Sequence, residues 1–413
     1  MVKSRRSIIA LYASSENDAI GFGMRSIAHY CEQCGYKIFY LNLDNFNDKK
    51  FNDLMSVIDC GDVAYCMTWC GIGQDMALQF EGGLKKNLWE HLNIPMLKFH
   101  GDSPVYHIER HGCVPNNSVN IYAWKEHFEL SKKIFPNSES ISAQCESLLY
   151  YDSLESNIDF HAREKGKLYF LKNGRDPGSL QRYWREQFTA GMAKQLRDLS
   201  SEVLSIGLRP GKLKMDDVVL KFFDEQRIDL RGNWSLLCFY IAQMDDYLRR
   251  VKATMVARAL LPLPVVIQGE GWEYLDAGGA AAEILPSQDP GLTEELYRTQ
   301  LGVIDMPPNV DTGAHDRMCR AAGTYSFALT SRNSWLEEVC PALNKAAYVF
   351  HPESIQAAVE AALKDPGLSI ELGRHYGRAF RAKYDPRDFV NKLSLLAEMA
   401  SMRDARPAGS NPR

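Results

Sequence analysis

Long hydrophobic runs are missing from this 413-residue sequence. The first apolar stretch, Ile8 to Tyr12, follows a basic Met1-Val2-Lys3-Ser4-Arg5-Arg6, yet it is far shorter than a signal-peptide core or the ~20 residues that cross a bilayer. A cytoplasmic protein without a transmembrane segment is expected, with peripheral membrane contact left open by the basic start. Long basic runs are missing as well, and the formal net charge is −4, so no nucleic-acid partner is expected. The ten cysteines do not form the dense framework of a secreted scaffold. Cys31-Glu32-Gln33-Cys34 has no second pair at zinc-site spacing, which leaves reduced, mostly buried thiols as the expectation. A complete G-x-G-x-x-G is absent, which speaks against a redox dinucleotide. No Asp-x-Asp stands at a strand end, and Asp216-Asp217 and Asp245-Asp246 read as solvated helix faces. The expectation is no cofactor and no required metal.

What is present is an ordinary globular composition, 45% hydrophobic and 24% charged, on a chain too long for one core, so two domains are expected. Short apolar runs alternate with helical stretches from the start. Ile8–Tyr12, Lys37–Leu41, Val63–Met67, Ile94–Phe99 and Asn120–Ala123 read as strands, with a helix between Gln74 and His91. A second series opens with the strand Leu168–Leu171 and a long helix from Ser179 through Leu196, then continues through a mostly helical Leu230–Leu260 to strands at Pro264–Gly269 and Leu301–Asp305. Such alternation predicts α/β architecture with parallel, doubly wound sheets. The boundaries read as a Rossmann-like domain over 1–150, a charged linker over 151–166, a second Rossmann-like domain over 167–385, a helix over 386–402 that can cross back, and a disordered tail over 403–413.

In open parallel sheets ligands sit at the carboxyl ends of strands, so the loops there carry the candidates. The first, Ser14 to Gly23, offers glycines near a helix start and reads equally well as a plain turn. The second, His100-Gly101-Asp102-Ser103-Pro104-Val105-Tyr106-His107, gathers titratable groups after a strand. Asp102, then His100 and His107, are candidate general bases for deprotonating a hydroxyl, although Asp-Ser-Pro is also a turn sequence. The third, Lys172-Asn173-Gly174-Arg175, can receive a diphosphate on amide and cationic donors. At Gly269 to Trp272, the indole would stack on a base or fill the core. The fourth loop, Pro307 to Arg317, contains Asn309, Asp311, Thr312, Gly313, His315 and Asp316, and runs into a helix N-terminus with Arg317 one turn in and Arg320 behind it. That combination favours an anion.

The stretch Asn309 to Ala322, with Asp311-Thr312-Gly313 and His315-Asp316-Arg317 opening a helix and Leu329-Thr330 shortly after, resembles the donor-binding segment of bacterial GT-B glycosyltransferases, especially the CgeB-like, family 1-type group. The resemblance implies two Rossmann-like domains facing a cleft, the first for the acceptor and the second for a nucleotide sugar. It makes Thr312, Gly313, His315 and Arg317 donor-site candidates. It also marks a departure: Arg320 stands where the family carries the glutamate that holds the ribose. The implied activity is metal-independent transfer of a sugar from a nucleotide-sugar donor to a glycan or other hydroxyl acceptor, as in polysaccharide biosynthesis. The leaving diphosphate would be stabilised by cations and a helix dipole. Two other readings stay open on the same residues: a sugar-nucleotide epimerase or hydrolase, and a non-catalytic protein that binds a nucleotide sugar or glycan.

Overall fold

The computed structural model describes residues 6–13, 19–112, 115–136, 141–145, 153–209, 211 and 213–404. The chain divides into two units, Met1–Leu149 together with Tyr384–Arg413, and Tyr150–Lys383. The first contains β1 (Ser7–Tyr12), β2 (Lys37–Asn42), β3 (Val63–Trp69), β4 (Ala77–Gln79), β5 (Lys85–Asn87), β6 (Met96–His100), β7 (Ser118–Tyr122) and β8 (Ile141–Gln144). Six of these form one parallel sheet of order β2-β1-β3-β6-β7-β8. Ile8, Ile9, Ala10 and Leu11 of β1 are wholly buried, as strands of a parallel sheet covered on both faces must be.

The helix Pro386–Asp404 belongs to this first unit and packs on β3, β6 and β7. Its buried Phe389, Val390, Leu393, Ala397 and Ala400 recur at helical spacing, and the Tyr36 hydroxyl meets Ser394 Oγ at 2.9 Å. Arg403 and Asp404, assigned by sequence to the tail, end this helix, and residues 405–413 lie outside the described residues.

Two helical readings are corrected. The segment Gln74–His91 is not a helix but the antiparallel hairpin β4–β5 followed by the short helix Leu88–His91. Gly82 and Gly83, each at φ +81, make the turn, a conformation that costs a residue with a side chain dearly. Asn87 then caps the helix through Trp89 N and Glu90 N. The long helix read from Ser179 through Leu196 is two, Pro177–Gln187 and Ala190–Gly207, broken where Thr189 caps the second.

In the second unit β9 (Leu168–Leu171), β10 (Val266–Gln268), β11 (Glu283–Leu285), β12 (Gly302–Ile304) and β13 (Phe327–Leu329) form a parallel sheet of order β11-β10-β9-β12-β13. The chain moves outward from β9 to β10 and β11, then returns to the other side of β9 for β12 and β13. The loops after β9 and β12 therefore part from each other, which opens a crevice at their carboxyl ends.

From Ser153 the segment read as a linker is folded into this unit. Arg163, 1% exposed, donates to the carbonyls of Tyr297, Arg298, Thr324 and Tyr325 at 2.7–3.0 Å. These carbonyls end the helices Pro290–Thr299 and Asp316–Gly323, so one guanidinium caps two negative helix ends. Arg163→Met would leave four buried carbonyls without a donor. Urea unfolding is expected to show a loss of about 3 kcal/mol or more; a loss below about 1 kcal/mol would mean that water replaces the guanidinium.

Candidate functional site

At the end of β12 the sheet carries a fully buried carboxylate, Asp305. Its Oδ1 lies 2.8 Å from His315 Nδ1 and 3.4 Å from an Arg317 nitrogen, and its Oδ2 accepts from Thr330 Oγ1 at 3.2 Å. The Tyr348 hydroxyl donates to its backbone oxygen at 2.7 Å. Burial alone would raise the Asp305 carboxyl; the His315 and Arg317 charges outweigh it and hold the group below its ordinary value. Asp316, 3.0 Å from His315 Nε2, is driven lower in the same way: burial raises it, and His315, Arg317 and Arg320 more than reverse that.

Across the crevice, Lys172 follows β9. Its amine makes no hydrogen bond or ion pair among the described residues. Burial first, then the nearby charges of Arg317 and Arg249, bring it down to about 8. The position of Lys172 is set by its backbone: its N–H donates to Gln268 O and its carbonyl accepts from Trp272 Nε1 at 2.8 Å.

The loops after β9 and β10 touch so closely that side chains are excluded. A Cβ on Gly174 would lie 2.5 Å from the Trp272 ring, and one on Gly269, at φ +154, 2.1 Å from Lys172 O. The glycines thus serve loop-to-loop contact, and Trp272, 3% exposed, is a wall of that junction. Asn173 accepts from Glu270 N, and Arg175 reaches toward Asp246 at 3.9 Å.

Among the remaining candidates, Asn309 bridges Lys252 Nζ (2.9 Å) and Asp245 Oδ1 (2.9 Å). Asp311 accepts from Ser334 N and Oγ at the start of the helix Ser334–Val339. Thr312 lies half-buried and Gly313 buried just after them in the chain. Arg320 is buried, with one nitrogen 3.3 Å from Thr293 Oγ1 and Nε 3.9 Å from Asp316. The structure thus brings Lys172, Asn309, His315, Asp316 and Arg317 to one region and turns Arg175, Asp311 and Arg320 to other partners.

Three residues of this region were missed in the sequence reading: Asp305, Arg249 and Lys252. Asp245 and Asp246, read there as solvated, are in fact paired with Arg249 and Arg250 at 2.8 and 2.7 Å, and Asp245 is buried. The signal was available in Asp245-Asp246-x-x-Arg249-Arg250-x-Lys252, whose i, i+4 and i+7 spacing sets one charged stripe along the helix Trp234–Leu260.

In the first unit, Asp102 is exposed and His107 half-buried on the loop after β6. His100 is 2% exposed, with Nε2 2.8 Å from Asn120 Oδ1 and its ring stacked 3.9 Å from that of His111. Burial brings it down to about 3, so it is neutral near pH 7. The wholly buried Lys98 holds this loop, donating to Arg110 O and Gly112 O at 3.2 and 3.1 Å. Of the first candidate loop, residues 14–18 lie outside the described residues, and Gly21 and Gly23 are inside the helix Ala19–Gln33. Seven described cysteines are buried, while Cys34 and Cys60 are exposed. Burial pushes the Cys31 thiol up to about 12. No described helix is long and apolar enough to cross a membrane.

No protein-family model and no curated protein matches this sequence. Solved structures do. An alpha-glucosyltransferase in complex with UDP-glucose and DNA containing an abasic site aligns with a TM-score of 0.51 at 8% identity, over 95% of this chain and 98% of that one. Another, an alpha-glucosyltransferase in complex with UDP, aligns at 0.48 and 8% over 95% and 100%. An alpha,alpha-trehalose-phosphate synthase (UDP-forming) from Burkholderia vietnamiensis aligns at 0.40 and 11% over 98% and 100%. At such identities the first of these carries the fold alone. The fold is α/β, GT-B-like, with two Rossmann-like parallel-sheet domains.

Asp305→Asn is expected to lower stability by about 2 kcal/mol or more at pH 7, measured by urea unfolding. The folded pKa lies below the unfolded one, so the wild-type contribution is present above 3.8 and disappears as pH falls through the depressed folded value. The gap between variant and wild type should therefore close on acidification. A gap that stays constant would assign it to shape and not to charge.

Proposed function

We propose that the protein is a glycosyltransferase that uses a nucleotide-sugar donor, with the diphosphate held in the crevice between the ends of β9 and β12. The observation that carries this reading is the uncommitted Lys172 amine at the sheet's reversal point, with Arg317 and Arg249 in electrostatic reach. On this half-buried ammonium, burial and the charges of Arg317 and Arg249 outweigh those of Asp305 and Asp316, and a diphosphate supplies the missing negative charge. The N-terminus of the helix Asp316–Gly323 adds its positive end. These groups stabilise the leaving diphosphate without a divalent ion. The acceptor, a glycan or another hydroxyl compound, is assigned to the first unit. Asp102, the exposed carboxylate of its loop, takes the hydroxyl proton, and His107 follows five residues on in the same loop. His100 is the weaker candidate, because its ring is enclosed. UDP is the first nucleotide to test, since the fold neighbour named above holds UDP-glucose. Membership of the CgeB-like group, a cytoplasmic place and a role in polysaccharide assembly belong to the same proposal.

A second reading, a protein that binds the donor without transferring the sugar, draws on Arg320, whose guanidinium is engaged with Thr293 and Asp316 where the resembled family places a ribose-binding glutamate.

Thermal-shift screening against UDP-, GDP-, TDP-, ADP- and CMP-sugars tests both, because a ligand of the folded state raises apparent stability. One nucleotide class should stabilise the wild type, and Lys172→Ala and Arg317→Ala should each abolish the effect. Affinity should fall as pH rises through about 8, where Lys172 loses its proton. Silence from every donor would refute the donor site. Binding with no transfer to any acceptor, unchanged in Asp102→Asn, would favour the second reading, and release of free sugar without acceptor would indicate a hydrolase.

A further inference from the structure

Beside the loop Pro307–Asp311 lies a cavity whose walls are the end of the helix Ala190–Gly207, this loop and the segment Tyr348–Phe350. Lys252 lines it. This side chain is 7% exposed, and among the described residues its amine donates to a neutral amide oxygen, that of Asn309, at 2.9 Å. Its ammonium also stands 4.5 Å from the centre of the Phe350 ring. No carboxylate touches it: Asp245 acts on it only across the Asn309 amide, and burial still brings the amine down to about 8, so desolvation is only partly repaid.

The other charges around the cavity do not repay it. Asp311 is the one carboxylate on the wall, and both its oxygens already accept from Ser334. Arg332 is anchored through Nε to Ala347 O at 3.3 Å, which leaves the two terminal nitrogens of its fork without a hydrogen bond among the described residues. Arg209 adds a third cation at the rim, its guanidinium likewise uncommitted among the described residues. Three cations thus face one cavity whose only carboxylate is already engaged, and two aromatic rings, Tyr348 and Phe350, line the same space.

We propose that this cavity is a second anion site, which takes the phosphate or carboxylate of a small molecule that carries an apolar or sugar-ring face. The oxyanion replaces the Asn309 amide as partner of Lys252, and the two terminal nitrogens of Arg332 donate to it at the mouth. Phe350 and Tyr348 pack on the adjoining ring. The site stands apart from the donor crevice in its cations, yet the two are joined: Asn309 also donates to Asp245, whose second oxygen pairs with Arg249 at 2.8 Å.

Equilibrium titration of the full chain with inorganic phosphate, and separately with glucuronate, tests the assignment. Wild type should bind phosphate, and Arg332→Gln should weaken that binding about tenfold or more, the loss expected for a charge-assisted pair. Lys172→Ala should retain it. Lys252→Gln is the companion variant, and if it fails to fold, Arg332→Gln alone decides. Phosphate binding unchanged in Arg332→Gln and in folded Lys252→Gln would overturn the proposal, as would loss in Lys172→Ala only. The source of the oxyanion is read from UDP-glucuronate against UDP-glucose. A tighter fit of the former that Arg332→Gln removes places the oxyanion on the donor sugar. Phosphate that binds alongside UDP-glucose places it on a separate molecule. Because the phosphate arm needs no nucleotide sugar, failure of the donor reading leaves this result interpretable, and the reverse holds as well.

Discussion

A carboxylate with no exposure must find donors or be protonated, and Asp305 finds them on two separate pieces of chain, while a third holds its backbone oxygen. His315 and Arg317 come from the start of one helix, Thr330 from the end of β13, and Tyr348 from the bridge that extends the sheet beyond it. The requirement that this one charge be neutralised fixes where the helix Asp316–Gly323 begins and therefore where its N–H groups point. The earlier part of the loop Pro307–His315 is held separately, by Asn309 on Lys252 and Asp245 and by Asp311 on Ser334.

The opposite wall of the crevice is fixed by a different constraint, the absence of side chains. Gly174 and Gly269 let the loops after β9 and β10 lie backbone to backbone, and Trp272 closes the junction with a bond to Lys172 O. Lys172 is thereby presented on a rigid base while its amine stays unpaired. The stripe Asp245–Arg249–Lys252 on the long helix then sets the charge of the region from the side. One acid is followed by two bases along it: Asp245 pairs with Arg249, Arg249 acts as a like charge on Lys172, and Lys252 turns to Asn309.

Much of this architecture was legible in the sequence. Apolar runs that alternate with helical periodicity locate most of the strands, and the carboxyl-end rule leads to the loops at Lys172 and Asn309. The misses have physical reasons. The hairpin β4–β5 hides in a stretch whose residues suit a helix, and only the Gly82-Gly83 pair betrays the turn. Asp305 sits at the end of an apolar strand, where a single acidic residue reads as the strand's polar exit. Arg249 and Lys252 lie on a helix far from the loops in sequence, so nothing short of the tertiary arrangement links them to Lys172 or Asn309. Trp272 shows the converse: a residue type suited to stacking on a base is spent on holding two loops together. The positions of His100 and Asp102, two residues apart, differ for the same kind of reason, since one faces the sheet core and the next loop residue but one faces solvent.

The helix Pro386–Asp404 gives the first unit a core assembled from both ends of the chain. During synthesis the strands β1 to β8 emerge long before Phe389, Val390 and Leu393 exist, so the surface of β3, β6 and β7 that those residues cover stays open while some 240 further residues are added. The second unit is continuous in sequence and has no such wait. Of these two units, the one whose strands are made first is therefore completed after the other, and the helix Pro386–Asp404 acts as the closing stitch of the older strands.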